Sequence, residues 1–239
     1  MMKTIIVPDR NALTRAAADF FAAEAQAALQ AKGRFAVALS GGSTPRALYQ
    51  LLADTPLAWQ NIHLFWGDER CVPPDHVDSN YRMTAESLLT RVHIPPENIH
   101  RIQGELPPEE AALRYEDDLR KFFRDAPRFD LILLGLGEDG HTASLFPDSS
   151  ALHERTRWVV AVPHAFPPPP LVPRVTLTLP VLNAACQIAF LVSGASKAQR
   201  LAQVLRAPMA SPSLPASMIR PDDGDILWMM DQSAAALLS

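Results

Sequence analysis

Short apolar, β-branched runs alternate along this chain with segments of helical spacing. Strands are predicted at 4–7, 35–39, 62–66, 158–162, 175–179, 188–192 and 226–230, the first of them an edge strand. Residues 130–134 form a continuous apolar run, as in a strand buried on both faces. Helices are predicted at 12–32, from Pro45 to about Ala53, and at 79–92, 108–125 and 196–205. Asn11 is the expected N-cap of the first helix, and Gly33 its stop. Strand–helix alternation of this kind predicts an α/β fold with a mostly parallel sheet covered by helices. No linker or internal repeat divides the chain, so a single domain over 1–239 is expected.

Composition narrows this picture. Of 239 residues, 48% are apolar and 20% charged, enough to bury a core and incompatible with disorder as the main state. With 22 Lys and Arg against 26 Asp and Glu, the net charge is −4. That balance argues against nucleic acid or an anionic membrane as partner. An anionic ligand would have to meet a local cluster of donors. Two cysteines are too few for a disulfide framework and point to a reducing, cytoplasmic compartment. The apolar run near the N-terminus is too short for a signal peptide, and no run approaches the length of a membrane span. The 22 prolines include a run at 167–170, read as an extended surface loop.

Of the ten glycines, those at 41, 42, 67, 135, 137, 140 and 194 lie just after predicted strands, where open α/β sheets bind ligands. Three such segments carry chemistry. Ser40-Gly41-Gly42-Ser43-Thr44-Pro45 runs from a strand into a helix start, where free N–H groups and hydroxyls suit a phosphate. A plain turn with a Ser/Thr cap explains it equally well, and the P-loop spacing is absent. Trp66-Gly67-Asp68-Glu69-Arg70 places charges directly after an apolar strand. There Arg70 would meet a phosphate or oxyanion, and Asp68 or Glu69 would orient it. The alternative is a solvated loop with a surface ion pair. Gly135 to Phe146 contains Asp139 and His141 among glycines, a placement that suits a general base held by a carboxylate. Arg174 and Lys197 each read alone as surface cations, but together they would complete a phosphate clamp. The other histidines show no metal-site spacing, so no metal is expected.

These segments, with Ser79-Asn80-Tyr81, Arg174-Val175-Thr176-Leu177-Thr178 and Ser193-Gly194-x-x-Lys197, together resemble the 6-phosphogluconolactonase family. The wider group includes glucosamine-6-phosphate deaminase. The stretch 135–147 is the most specific part, and the matching pieces span about 40 to 200 in family order. The resemblance implies a modified doubly wound α/β fold with helices on both faces. It implies hydrolysis of 6-phospho-D-glucono-1,5-lactone to 6-phosphogluconate, a pentose phosphate pathway step that takes no cofactor. His141 would activate water and then protonate the leaving ring oxygen, with Asp139 supporting it and Arg70 binding near the developing charge. Gly41, Gly42, Ser43, Thr44, Arg174 and Lys197 would hold the phosphate, and Asp68 would contact substrate. The expected partner is a small phosphosugar lactone, with no nucleic acid or membrane, and the expected state is a monomer or weak homodimer. A hexosamine-6-phosphate deaminase is the nearest alternative. That family typically has Asp-Glu-Tyr where this chain has Asp68-Glu69-Arg70. A non-catalytic sugar-phosphate sensor is the other alternative, disfavoured by the acidic balance and by His141 with Asp139.

Overall fold

The computed structural model describes residues 1–163, 168–207 and 210–238. Among these described residues ten strands and six α-helices follow in chain order. They are β1 (Met2–Val7), α1 (Arg10–Lys32), β2 (Phe35–Leu39), α2 (Ser43–Leu52), β3 (Ile62–Trp66) and β4 (Asp68–Arg70). Next come α3 (Asn80–Thr84), β5 (Ile99–His100), α4 (Pro108–Phe123), β6 (Leu131–Leu134), β7 (Val159–Val162) and β8 (Arg174–Leu177). The series ends with α5 (Leu179–Asn183), β9 (Gln187–Val192), α6 (Ala198–Arg206) and β10 (Asp225–Asp231).

Seven strands form one parallel sheet in the order β1-β10-β9-β6-β2-β3-β5. The predicted α/β fold with a mostly parallel central sheet is therefore what the chain adopts. Every residue of β2 and β6 is buried, which is why both read as unbroken apolar runs. The core extends through Phe21, Phe65 and Phe129 to Phe190, whose ring stacks on Trp228 at 3.8 Å.

The strand order places the site. From β2 the chain moves outward to β3 and β5, then returns to β6 on the other side of β2. That reversal is a topological switch point, where the loops leaving adjacent strands part and open a crevice. The loop after β2 begins at Ser40 and the loop after β6 begins at Gly135, so both glycine-rich segments open there. Two tyrosines fix the strand ends. The Tyr49 hydroxyl accepts from Ser40 N at 3.0 Å and donates to Ser40 O at 2.8 Å. The Tyr115 hydroxyl does the same for Trp66 N and O, both at 2.9 Å.

Several expectations are corrected. The segments at 158–162 and 175–179 are strands but not part of the main sheet. They pair with β4 as a second, antiparallel sheet in the order β4-β8-β7. Alternation identifies a strand without naming its partner. Asp68-Glu69-Arg70, for which no strand was predicted, is the edge strand of this small sheet. Asp9 caps α1 in place of Asn11, accepting from Ala12 N at 2.8 Å. Ser43 opens α2, with Pro45 at its third position. The helix predicted at 79–92 is α3 followed by a wider π turn over Ala85–Leu89. There Thr84 and Ser87 hydroxyls bond back to the carbonyls of Asn80 and Met83, a habit that disturbs regular α-helix.

Candidate active site

The loops after β2 and β6 and one face of the small sheet enclose a cleft of ≈ 520 Å³. The Gly-rich turn after β6 builds the first wall. Gly140 N donates to Gly137 O at 3.1 Å and Gly137 N to His141 O at 2.9 Å, closing a tight loop. Within it the Asp139 carboxylate accepts from His141 N at 3.0 Å and from the His141 ring at Nδ1, 2.5 Å away. A carboxylate can only accept here, so Nδ1 carries a hydrogen and Nε2 is the ring nitrogen left without this bond, on a side chain that lines the cleft. Half-burial works against the charged form of Asp139, but its bonds to His141 prevail and hold the carboxyl below its ordinary range. Phe146 packs on the imidazole at 4.8 Å between ring centres. The Asp139–His141 pair sits where it does because residue 137 lacks a side chain: a Cβ there would lie 2.1 Å from His141 Nδ1 and 2.6 Å from Asp139 Oδ1.

The small sheet builds the second wall. Side chains of a strand alternate between faces. Asp68 and Arg70 line the cleft, and Glu69 points the other way. Glu69 is buried, and its carboxylate accepts from Asn80 N at 2.7 Å, Tyr81 N at 2.8 Å and Ser79 Oγ at 3.0 Å. Burial pushes its pKa up against these donors. Glu69 also accepts from Arg70 N at 2.7 Å, so it ties β4 to the start of α3 and holds the backbone of Arg70, while no bond joins it to the Arg70 guanidinium among the described residues. The surface-loop reading of this segment also fails, since Asp68 and Glu69 are both buried. Asp68 accepts from Ser144 Oγ at 2.6 Å, joining the two walls.

Arg70 stands opposite Arg174 in the β4–β8 register. Arg174 is 4% exposed and is braced by the carbonyls of Pro170 at 3.0 Å and Val172 at 3.3 Å. Burial and the facing Arg70 pull its pKa below the usual arginine value. Arg70 donates from Nη1 to Asp78 O at 2.6 Å, while its buried Nε has no hydrogen-bond partner among the described residues. Two like charges directly opposed across a ladder are unfavourable by themselves. With a spare buried donor beside them, they describe a seat for an anion.

Lys197 also lines the cleft, with Nζ 3.8 Å from Glu138 Oε1. Gly41 and Gly42 line it at the N-terminal end of α2. Of the predicted residues, His141, Asp139, Asp68, Arg70, Arg174, Lys197, Gly41 and Gly42 thus converge on one cleft. Ser43 and Thr44 do not line it; they lie in the first turn of α2 just behind the glycines.

Asn80, Glu138 and Pro168 are among the lining residues that had no assigned role in the sequence. Asn80 donates from Nδ2 to Asp68 O at 2.9 Å and fills the space over Gly41, where a Cβ would lie 1.9 Å from its Oδ1. Only its place in the Ser79-Asn80-Tyr81 motif hinted at this. Glu138, the residue before Asp139, lines the cleft beside Lys197. Pro168 lines the cleft and Pro170 braces Arg174, so the described part of the proline run belongs to the site; Pro167 lies outside the described residues. Among the described residues, no group of three or more His, Cys, Asp or Glu is placed to hold a metal ion.

Comparison with known proteins agrees with this geometry. The family described as Glucosamine-6-phosphate isomerases/6-phosphogluconolactonase matches residues 8–228. A 6-phosphogluconolactonase of Nostoc sp. is 43% identical over 245 residues, covering 100% of both chains. One of Synechocystis sp. is 46% identical over 213 residues, covering 87% of this chain and 86% of its own. The crystal structure of the Thermotoga maritima 6-phosphogluconolactonase superposes with a TM-score of 0.86 at 32% identity, covering 97% of this chain and 100% of that one. The chain therefore belongs to the family of glucosamine-6-phosphate isomerases and 6-phosphogluconolactonases.

Proposed function

We propose that this protein is a 6-phosphogluconolactonase, hydrolysing 6-phospho-D-glucono-1,5-lactone to 6-phospho-D-gluconate. The observation that carries the reading is the Asp139–His141 pair facing an anion seat across a single cleft. Asp139 holds His141 in the tautomer whose Nε2 takes a proton from water. The water oxygen bonds to the lactone carbonyl carbon, and the carbonyl electrons move onto its oxygen. As the tetrahedral adduct collapses, the bond to the ring oxygen breaks and Nε2 returns the proton to that oxygen. The product carries a free hydroxyl and a carboxylic acid on one chain, and the acid releases its remaining proton to solvent to become the carboxylate.

Arg174, Lys197 and the N–H groups at Gly41 and Gly42 bind the distant phosphate, and Arg70 binds near the developing oxyanion. Anchoring the phosphate places the reacting carbon against His141, so binding energy lowers the barrier. Asp68, held by Ser144, contacts sugar hydroxyls. These groups supply the base and the anion-binding donors, so the reaction is written without metal or cofactor. The substrate is a small anion, with no nucleic acid or membrane involved, and the protein acts as a monomer or weak homodimer in the cytoplasm.

The test couples fresh lactone to 6-phosphogluconate oxidation, with a protein-free blank because the lactone also opens unaided. Wild type is expected to exceed the blank, and folded His141→Ala to fall by about 100-fold or more. Ammonia release from glucosamine 6-phosphate without lactone turnover would overturn the reading.

A further inference from the structure

Asp231 ends β10, 4% exposed, and does not line the cleft. In the parallel register Met230 lies opposite Val192, so Asp231 reaches the turn that follows β9. Its carboxylate accepts from Ser193 Oγ at 2.5 Å and from Gly194 N at 3.1 Å. It also accepts from Ala234 N at 2.8 Å, which anchors it to the chain beyond β10. Two consecutive donors of the turn are thus pinned by one buried anion.

The turn leads directly to Lys197. Gly194 has φ 98°, a conformation open to glycine and strained for other residues. Lys197 N donates to Gly194 O at 3.1 Å, and Ala195–Lys197 form one tight turn. The arginines of the cleft are braced at their own guanidinium groups, Arg174 by two carbonyls and Arg70 by one. Lys197 is different: its side chain meets Glu138 at 3.8 Å, a loose and solvent-facing pair. An ammonium on a four-carbon stem is aimed chiefly by the backbone that carries it.

We propose that Asp231 is a positioning residue for phosphate binding: it fixes the Ser193-Gly194 turn and thereby aims Lys197 into the cleft. The inference rests on the assignment of Lys197 to the substrate phosphate. Asn is nearly the same size as Asp but cannot accept on both sides. At the Oδ2 position its NH2 would displace the bond from the Ser193 hydroxyl and one of the two Gly194 contacts, at the Oδ1 position it would face Gly194 N and Ala234 N, and in both the negative charge is lost.

The experiment measures 6-phosphogluconate affinity by calorimetry for wild type, Asp231→Asn, Ser193→Ala, Lys197→Ala and the Asp231→Asn/Lys197→Ala double variant. Unphosphorylated gluconate is the control ligand. Asp231→Asn is expected to weaken 6-phosphogluconate binding by about tenfold, the scale of one charge-assisted contact. Ser193→Ala, which keeps the Gly194 bond, is expected to weaken it by about threefold. The double variant is expected to bind like Lys197→Ala alone, because both changes remove the same contact. In lactone turnover, KM is expected to rise more than kcat falls.

Undiminished affinity in Asp231→Asn overturns the proposal. So does an equal further loss in the Lys197→Ala background, which means general damage to the fold. If Asp231→Asn does not fold, Ser193→Ala in the two backgrounds decides the same question. Unchanged affinity in Lys197→Ala refutes the phosphate assignment, and the proposal with it. A wild type that binds 6-phosphogluconate but opens no lactone refutes the catalytic reading alone.

Discussion

Gly137→Ala tests the core of the site without removing any functional group. A Cβ at 137 would lie 2.1 Å from His141 Nδ1, 2.3 Å from Cε1 and 2.6 Å from Asp139 Oδ1, where ordinary contact begins at 3.4 Å. The imidazole has to retreat by about 1.3 Å, and the same methyl pushes on the carboxylate that orients it. The backbone at 137 is not among the positive-φ positions, so alanine itself is tolerated there. The damage falls on the pair. A misplacement of roughly 1 Å costs on the order of 100-fold, and loss of a general base 100- to 10,000-fold. We expect kcat to fall by about 100-fold or more while the fold loses no more than about 1–3 kcal/mol from crowding. Gly135→Ala is the matched comparison: it lies in the same motif, with nothing within 4 Å of the added carbon. The assay is coupled lactone hydrolysis for both variants, with thermal melts alongside. A Gly137→Ala enzyme with wild-type kcat, or equal losses in both variants, would refute the reasoning.

Other outcomes follow from the same geometry. Glu138→Gln frees Lys197 from its ion pair and is expected to lower the KM by about two- to fivefold, the scale of an exposed pair; a raised KM would contradict it. Tyr115→Phe leaves buried Trp66 N and O without the hydroxyl and is expected to cost about 1–3 kcal/mol, read as a Tm lower by roughly 3–10 °C. His63 has its pKa lowered to about 4 by burial, then by His100 and Arg34. The unfolded chain binds that proton at the ordinary value of about 6.5, so between about 6.5 and 4 the unfolded state holds more protons and stability falls as pH falls. Melts from pH 7 to 4.5 are expected to drop less steeply in His63→Gln than in wild type, and parallel slopes would sink the assignment.

Much of this protein was legible in one dimension. Alternation and apolar runs depend on neighbours two to four residues away, so they located the strands of the main sheet except the two-residue β5. The placement of Gly41, Gly42 and Asp139-Gly140-His141 directly after strands pointed to the carboxyl edge, because that is where a parallel sheet exposes its loops. Asp139 and His141 are two residues apart, and their pairing is a local matter.

What sequence could not supply is which distant segments meet. Strand 68–70 is only three residues long, too short for a period to register. Its alternation nonetheless turns Asp68 and Arg70 to the cleft and Glu69 to the start of α3. The opposition of Arg70 and Arg174, the Asn80 side chain over Gly41, the proline run beside the cleft and the hold of Asp231 on Ser193 all join residues far apart in the chain. Such contacts are set by sheet order and register. Those are chosen by the burial and hydrogen bonding of the whole molecule, and no local pattern records them. The sequence by itself determined the strand–helix alternation and the chemistry at the strand ends; the tertiary structure alone decided which of those ends would share a cleft.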